Sequence, residues 1–366
     1  MENWNEYLAS LVLNAIGEVG PVTFRRLKEH FRGNFSAIFH ASAQELSSVK
    51  GVSRIVADRI SQWQQHFDLE YELQQIETLG IRFLTQSSTD YPILLKKIYD
   101  LPIGLYVRGN HYVNNKKCVA IIGARKPSAY GLKIAREFAF ELAKIGFTVV
   151  SGMALGIDAA AHEGALASQK EMATIAVLGS GVDVVYPREN HSLYRKIMEQ
   201  GSIISEFSLG KKADKVTFPV RNRIIAGMCA HLIVIESDEH GGSILTAHMA
   251  NEYNRNVMAV PGRVDMKTSR GCHNLIREGA ALVGSFDQVL EELNYEPQQG
   301  ILNLGMEILQ DPVEFKIIEK IREHGNVSAN ELSELVGISM HYLLPKLQLL
   351  ELRQIVRRNA AGNYEC

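Results

Sequence analysis

The chain has 366 residues, 46% hydrophobic and 22% charged, enough for two or three soluble domains with sizeable cores. Its 39 Lys and Arg nearly balance 41 Asp and Glu, which excludes a uniformly basic nucleic-acid binder. The charge is uneven, because residues 116–290 carry 21 basic and 17 acidic side chains, whereas residues 291–313 carry five acidic and no basic ones. The charge distribution therefore still allows a local basic site in the middle third of the chain.

The cysteines are widely separated and form no CxxC pair. This spacing argues against a cysteine-based zinc site and against a disulfide framework, so we expect no metal site. The N-terminus is acidic and polar, and no apolar run approaches the ~18 residues of a membrane helix. We therefore expect a cytoplasmic protein without membrane association.

Residues 1–85 are predicted to form a small helical domain. Two units, residues 4–31 and residues 43–67, each contain a helix, a turn with Gly20 or Gly51, and a second helix. The pattern resembles the helix-hairpin-helix element, whose turn offers backbone N–H groups to a phosphate. The alternative, that these glycines only end helices, stays open, and Glu18 in the first turn argues against strong DNA contact there.

Residues 86–293 are predicted to form an α/β domain, because strand and helix patterns alternate from residue 117 onward and favour a parallel sheet. The predicted strands are Val119–Gly123, Thr148–Ser151, Thr174–Leu178, Ser202–Glu206, Leu232–Glu236 and Val257–Val260. The predicted helices are Tyr130–Lys144, Ile157–Ser168, Glu189–Gln200, Asn222–Met228, Ser243–Tyr253 and Cys272–Gly279.

Ligands of such sheets bind beyond the carboxyl ends of the strands, where this chain places glycines, small hydroxyl side chains and arginines. Glycines let backbone N–H groups approach an anion, helix N-termini add partial positive charge, and arginines hold phosphate oxygens. We therefore predict a site for a polyanion or a phosphorylated ligand. Its candidate residues are Gly123, Arg125, Ser128, Gly131, Ser151, Gly152, Gly179, Gly181, Arg188, Arg221, Asn222, Arg223, Gly242, Ser243 and Thr246.

Motifs for catalysis are sparse. The chain has no P-loop, nucleophile elbow or HExxH, and the run at Gly123 lacks the second glycine of the GxGxxG fingerprint. We therefore expect no cofactor. Asp158 and His162 lie four residues apart on one predicted helix and could form an acid–base pair, but helix capping and core packing are the preferred interpretation.

Seven motifs in the middle segment together resemble the DNA-processing protein A family (DprA, also called Smf), in order and with ordinary spacing. They are Ile122–Gly131, Ser151–His162, Ala176–Asp183 with Tyr186-Pro187, Ser205-Glu206, Phe218–Gly227, Gly242-Ser243 with Thr246-Ala247, and Ala259–Gly262. Two departures are Asn254, where the family often has glycine, and Gly241, where it commonly has serine. Asn also tolerates a left-handed turn, so the first departure can preserve the backbone.

This resemblance implies an extended Rossmann-like domain that binds single-stranded DNA with little sequence preference and is not an enzyme. It implies protection of incoming DNA during natural transformation, loading of the RecA recombinase, and a homodimer. The family pattern makes Arg125 a DNA contact and puts Arg188, Arg221 and Arg223 in the same positive pocket. The resemblance also suggests three residues for the dimer interface: His273, Ile276 and Leu282. The alternative, that this region only packs into the core of its own domain, stays open.

The last segment is predicted to contain an acidic linker, residues 294–312, and a winged helix, residues 313–366. Three helical patterns precede a short hairpin, and Ser328 with Glu331 forms a capping box. The last of these helices carries only Lys346 as a basic residue besides His341, so we expect an accessory or protein-contact domain.

Two other functions fit the sequence less well than the binding of single-stranded DNA. A phosphoribohydrolase-type nucleotide enzyme would share a Rossmann-like core, but the run from His240 to His248 replaces the second-half Gly, Thr and Glu of its motif. A transcriptional regulator that acts through the winged helix is disfavoured by the neutral charge of that segment. The preferred function is therefore the one that the resemblance implies, in which the protein binds and protects single-stranded DNA and loads RecA.

Overall fold

The computed structural model describes residues 4–109, 117–295, 311–352, 355–359 and 362–365. The chain divides into two compact units, residues 1–293 and residues 294–366. Within the described ranges, no helix combines the length and the apolar character that a membrane span requires.

The first unit begins with short helices that share a core with the central sheet. They are α1 Glu6–Ala15, α2 Pro21–His30, α3 Phe35–His40, α4 Ala43–Ser48, α5 Arg54–Ser61 and α6 Leu69–Thr78. All except α3 match predicted helices, since a helical pattern over residues 69–80 also predicts α6. The side chains of Asn5, Ser42 and Ser53 cap α1, α4 and α5. Leu11 and Ile60 belong to the same buried cluster as strand residues, so the domain boundary at residue 85 stays a prediction.

Nine strands form one mixed sheet within the described residues, in the order β1-β2-β6-β5-β4-β3-β7-β8-β9. The strands are β1 Arg82–Thr85, β2 Gly104–Gly109, β3 Cys118–Gly123, β4 Thr148–Ser151, β5 Thr174–Val177, β6 Ser202–Ser205, β7 His231–Ile235, β8 Asn256–Ala259 and β9 Ala281–Leu282. The predicted parallel core, from β3 onward, is confirmed. Strands β1 and β2 extend it antiparallel, because their connection contains no α-helix to carry the chain across the sheet.

The helices of this α/β region connect the parallel strands, except the last, which follows β9. They are α7 Ala129–Lys144, α8 Ile157–Ala167, α9 His191–Gln200, α10 Thr217–Met228, α11 Gly242–Glu252, α12 Arg270–Arg277 and α13 Phe286–Glu292. Most boundaries lie within two residues of the prediction, but α10 begins five residues early. Its first turn is fixed by Asp214, whose carboxylate accepts the backbone N–H groups of Val216 at 2.8 Å and Thr217 at 2.9 Å. Phe218 and Pro219 therefore lie on a helix and not in a loop.

The strand order reverses between β3 and β7. Strands β4, β5 and β6 follow on one side of β3, whereas β7, β8 and β9 follow on the other. Such a reversal leaves a crevice at the carboxyl ends of the two central strands, because their outgoing connections diverge to opposite sides. The loops after β3 and β7 meet in this crevice.

The second unit contains three helices and a two-stranded hairpin among its described residues. They are α14 Pro312–His324, α15 Ala329–Val336, α16 Met340–Leu352, β10 Arg357–Arg358 and β11 Tyr364–Glu365. The predicted capping box at Ser328 is confirmed. Lys346 pairs with Asp311 and with Glu314, at 3.4 Å from the latter, so the basic residue of α16 is neutralised within the unit. The winged-helix assignment stays a prediction, and most of the predicted linker lies outside the described residues.

Candidate nucleic-acid interface

A cavity of about 560 Å³ lies at the reversal between β3 and β7. It is lined by the loops after these strands and by residues of α10 and α11. A smaller cavity of about 60 Å³ adjoins it through shared lining residues. Nine predicted site residues line one or both: Gly123, Arg125, Gly152, Gly179, Arg221, Asn222, Gly242, Ser243 and Thr246.

Arg125 and two aromatic rings form a row along the lining of the two cavities, in which Arg125 and Tyr186 are exposed and Phe218 is half-buried. The Arg125 guanidinium carbon lies 5.2 Å from the centroid of the Phe218 ring. The Tyr186 ring lies 5.5 Å from Phe218, centroid to centroid, at 40°, and Tyr186 is 44% exposed. We call Tyr186 and Phe218 the aromatic platform. Both residues belong to family motifs of the sequence, yet the sequence-based prediction does not include them in the site, although aromatics next to basic residues are a known signal for nucleic-acid binding.

Arg221 supplies a fixed positive charge beneath the cavity. It is buried, and its Nη1 donates hydrogen bonds to the carbonyl of Gly152 and, at 2.6 Å, to that of Val177. Burial lowers the pKa of Arg221 to about 10, so the group stays charged at neutral pH. Burial raises the pKa of Asp158, against the lowering effect of Arg221. Gly152 is required here, because a Cβ atom would lie 2.2 Å from Arg221 Nη1.

Arg223 lines neither cavity, and its predicted place in the pocket is not reproduced. Its side chain is buried in an ion pair with Glu206 and also donates to the carbonyl of Asp100. The Asp100 carboxylate in turn accepts a hydrogen bond from the Tyr253 hydroxyl at 2.8 Å. Because α10 turns by about 100° per residue, two positions separate Arg221 and Arg223 onto different faces of the helix. Arg223 therefore holds α10 in place and does not reach the cavity.

Five further predicted residues lie outside the lining. The Ser151 hydroxyl donates to the carbonyl of Ile121 at 2.6 Å within the sheet. Gly181 makes room for the Asp183 carboxylate, which would lie 2.5 Å from an added Cβ. Arg188 is exposed in a short 3-10 turn. The remaining two, Ser128 and Gly131, form the start of α7.

The N-terminus of α11 contributes backbone dipoles to the cavity. Gly241 precedes the helix without a side-chain cap, and an added Cβ at Gly242 would meet no atom within 4 Å. The Ser243 hydroxyl lies 2.7 Å from that of Ser237. An uncapped helix start next to open space provides partial positive charge for an anion. The exposed side chains of Lys126 and Lys215, which sequence reasoning also missed, add two cations to the lining.

Asp158 and His162 do not form an acid–base pair. His162 is fully buried, with Nδ1 2.7 Å from the Thr174 hydroxyl, and that hydroxyl donates to the carbonyl of Val149. The threonine therefore accepts from His162 Nδ1–H, which leaves Nε2 unprotonated and without a partner. Burial and the nearby Arg221 lower the pKa of His162 to about 3. The predicted preference for core packing over catalysis fits this geometry.

The three candidate dimer residues have different surroundings. His273 Nε2 lies 3.0 Å from the Gly262 carbonyl, and Ile276 packs against the buried cluster of the sheet. Leu282 is 51% exposed on β9, the strand at the edge of the sheet. Only Leu282 of the three thus presents substantial apolar surface.

Comparison with known proteins matches this architecture to one family. The family model described as DNA recombination-mediator protein A matches residues 82–294. Protein Smf from Synechocystis sp. is 36% identical over 301 residues, which cover 81% of this chain and 74% of that protein. DNA processing protein DprA from Streptococcus pneumoniae is 42% identical over 205 residues, 56% of this chain and 72% of that protein. The chain belongs to the DNA-processing protein A family, as its motifs predicted.

Solved structures agree with the fold. The X-ray structure of DprA from Streptococcus pneumoniae superposes with a TM-score of 0.70 at 32% identity, covering 81% of this chain and 100% of that one. DNA processing protein A from Helicobacter pylori, studied for its single-stranded DNA binding mode, superposes with a TM-score of 0.53 at 29% identity. That match covers 59% of this chain and 98% of the other. The extended Rossmann-like core is thereby confirmed.

Replacement of Arg223 by alanine is expected to destabilise the fold. The substitution leaves the buried Glu206 carboxylate without its cation, which costs about 3–5 kcal/mol in free energy of unfolding. Urea denaturation measures this loss, with the exposed Arg188→Ala as control, expected within about 0.5 kcal/mol of wild type. Equal stability of both variants would show that the buried pair does not hold α10.

His162 is expected to make stability depend on pH. Its native pKa of about 3 lies below the unfolded value of 6.5, so unfolding takes up a proton between these values. This contribution is complete above pH 6.5 and is lost as the pH falls. From pH 7.5 to 5.5, the free energy of unfolding of wild type should fall about 1.4 kcal/mol more than that of His162→Asn, which keeps a donor for Thr174. Parallel pH profiles in denaturant titrations would contradict this assignment.

Proposed function

We propose that this chain binds single-stranded DNA in the cavity between β3 and β7. The observation that carries the proposal is the row that Arg125, Phe218 and Tyr186 form along the cavity linings, with an uncapped helix start in the same lining. A binder of single strands without sequence preference needs cations for the phosphates and flat rings for the bases. Family membership and the single-stranded DNA binding mode reported for the Helicobacter pylori relative support the same function.

Phosphates would meet the cations of the cavity. Arg125, Lys126 and Lys215 are exposed and can form charge-assisted hydrogen bonds with phosphate oxygens. The buried Arg221 adds a charge that cannot move away, and the start of α11 adds N–H groups. The near-neutral net charge of the whole chain is compatible with DNA binding, because affinity for a polyanion depends on local contacts and the positive groups are concentrated at the cavity.

Bases would stack on the aromatic platform. The platform lies against the cavity and not on a flat surface, so it can be covered only by bases that are not already stacked in a duplex. A paired duplex hides the faces of its bases, whereas a single strand can splay them out. We therefore propose a preference for single strands over duplexes, with little dependence on sequence, since every base has a face that can stack.

Further parts of the proposal extend to the whole protein. We propose a non-enzymatic role in which the bound strand is protected and passed to the RecA recombinase during transformation or recombination, in the cytoplasm. A homodimer through the edge strand β9 would cover Leu282, the exposed apolar residue of that strand. The phosphoribohydrolase alternative lacks its motif carboxylate, because His248 stands there and lies half-exposed, 4.0 Å from Glu278.

Arg125→Ala is expected to weaken binding of a 20-nucleotide oligo-dT by at least about tenfold at moderate salt. Since one phosphate contact is lost, the slope of log affinity against log salt should become shallower by about 0.7. Fluorescence anisotropy over a salt titration measures both quantities. The control is Lys170→Ala, an exposed cation that precedes β5 and so lies toward the amino ends of the parallel strands, whereas the cavity lies at their carboxyl ends. If Arg125→Ala binds like the control, the cavity is not the DNA site.

Phe218→Leu is expected to weaken binding without changing the salt slope. Leucine keeps much of the volume but removes the ring, and loss of one stacked base costs about 1–3 kcal/mol, or roughly 5- to 150-fold in affinity. The same anisotropy titration measures it, with Tyr71→Leu as an exposed aromatic control far along the chain on α6. Unchanged affinity, or a change in salt slope instead, would contradict stacking on the platform.

A further inference from the structure

The N-terminus of α7 holds a carboxylate from the chain itself. Glu236, the first residue after β7, is only 6% exposed. Its carboxylate accepts the Ser128 backbone N–H at 2.8 Å and also the Ser128 hydroxyl. Ser128 is the N-cap of this 16-residue helix, so the negative group lies where the helix dipole is most positive.

Three local features are arranged around this carboxylate. Glu236 adopts a left-handed backbone with φ of 51°, which is uncommon for a non-glycine residue. Its carbonyl accepts the N–H of Ala124 at 2.7 Å, so both ends of the residue hold the loop after β3. Gly131, in the first turn of α7, leaves space for it, because an added Cβ would lie 2.7 Å from the carboxylate carbon.

The N-terminus of α7 corresponds to a helix start that binds phosphate in related folds. In doubly wound α/β folds, a ligand phosphate lies at the N-terminus of the helix that follows the first parallel strand. In this chain that helix is α7, and it starts at the reversal between β3 and β7. A buried carboxylate beside a site for a polyanion should weaken binding by charge alone, so its presence needs a structural reason.

We propose that Glu236 is a positioning and specificity-determining residue that acts as a built-in substitute for phosphate. It occupies the anion position of α7 and thereby fixes residues 124–128, so that Arg125 lies over Phe218. It also excludes nucleotide phosphates from this helix and leaves the phosphates of a bound strand to Arg125, the exposed lysines and α11. The part that concerns DNA rests on the proposed function, whereas occupation of α7 by the carboxylate does not.

The direction in which DNA affinity changes when Glu236 is replaced distinguishes a positioning role from a purely electrostatic effect of its negative charge. Glu236→Ala removes a negative charge near the cavity, yet we expect oligo-dT affinity to fall about tenfold because the Arg125 loop loses its anchor. The matched control is Glu239→Ala, which removes an exposed carboxylate three residues away and should leave affinity equal or slightly higher. Gly131→Ala, which displaces the carboxylate sterically, should weaken binding in the same direction, and the double variant should add little.

A second experiment tests the anion position without DNA. The test compares the melting temperatures of wild type and Glu236→Ala in sodium acetate, sodium phosphate and sodium chloride at equal ionic strength. A small anion that fills the emptied position stabilises the folded variant by mass action. We expect acetate or phosphate to raise the melting temperature of Glu236→Ala relative to chloride, to leave wild type unchanged, and to restore part of the lost DNA affinity.

Two results would overturn the proposal. One is Glu236→Ala that binds oligo-dT as tightly as wild type or more tightly, and the other is no stabilisation by acetate or phosphate beyond that by chloride. If Glu236→Ala does not fold, Glu236→Gly, which empties the same position and suits the left-handed backbone, replaces it in both experiments, and Gly131→Ala still tests DNA binding. If wild type itself does not bind oligo-dT, the proposed function fails, and the melting experiment still decides whether α7 accepts an anion.

Discussion

The reversal of strand order between β3 and β7 is the constraint on which the site depends. It separates the loops that leave two adjacent parallel strands, and the crevice between them brings together residues nearly 120 positions apart, such as Arg125 and Gly242. The antiparallel extension by β1 and β2 and the helices α1–α6 share the core beneath this sheet but contribute no residue to the cavity lining. The fold therefore brings basic residues that are scattered along the sequence together at one cavity.

Burial decides what each arginine of the region does. Arg125 is exposed and lies over an aromatic ring, Arg221 is buried against main-chain carbonyls, and Arg223 is enclosed with Glu206. Only an accessible guanidinium can exchange water for phosphate, whereas an enclosed one must be satisfied within the fold or destabilise it. The same residue type thus supplies a candidate phosphate contact, a fixed charge and a structural ion pair within one chain.

Much of the α/β region was predictable because its elements are strongly patterned. Buried parallel strands such as Val119–Ile122 are continuous apolar runs, and the predicted parallel core is the observed one. The errors have physical causes. Strand β9 has two residues, too few for a period, and α10 starts early because the Asp214 carboxylate caps a turn through hydrogen bonds that no periodicity reveals. Phe218 consequently lies before the predicted helix start at Asn222, and the sequence pattern does not indicate that its ring belongs to the site.

The sequence by itself determined the family, the alternating α/β order and the strand ends at which the candidate ligand-binding residues cluster. These are local or motif-level properties, carried by apolar periodicity and by glycines and arginines at set positions. Only the tertiary structure decided which of those residues share the cavity, because adjacent positions on a helix face different surroundings and burial depends on distant elements. It separated Arg221 from Arg223, added the rings of Tyr186 and Phe218, and placed the Glu236 carboxylate at the start of α7.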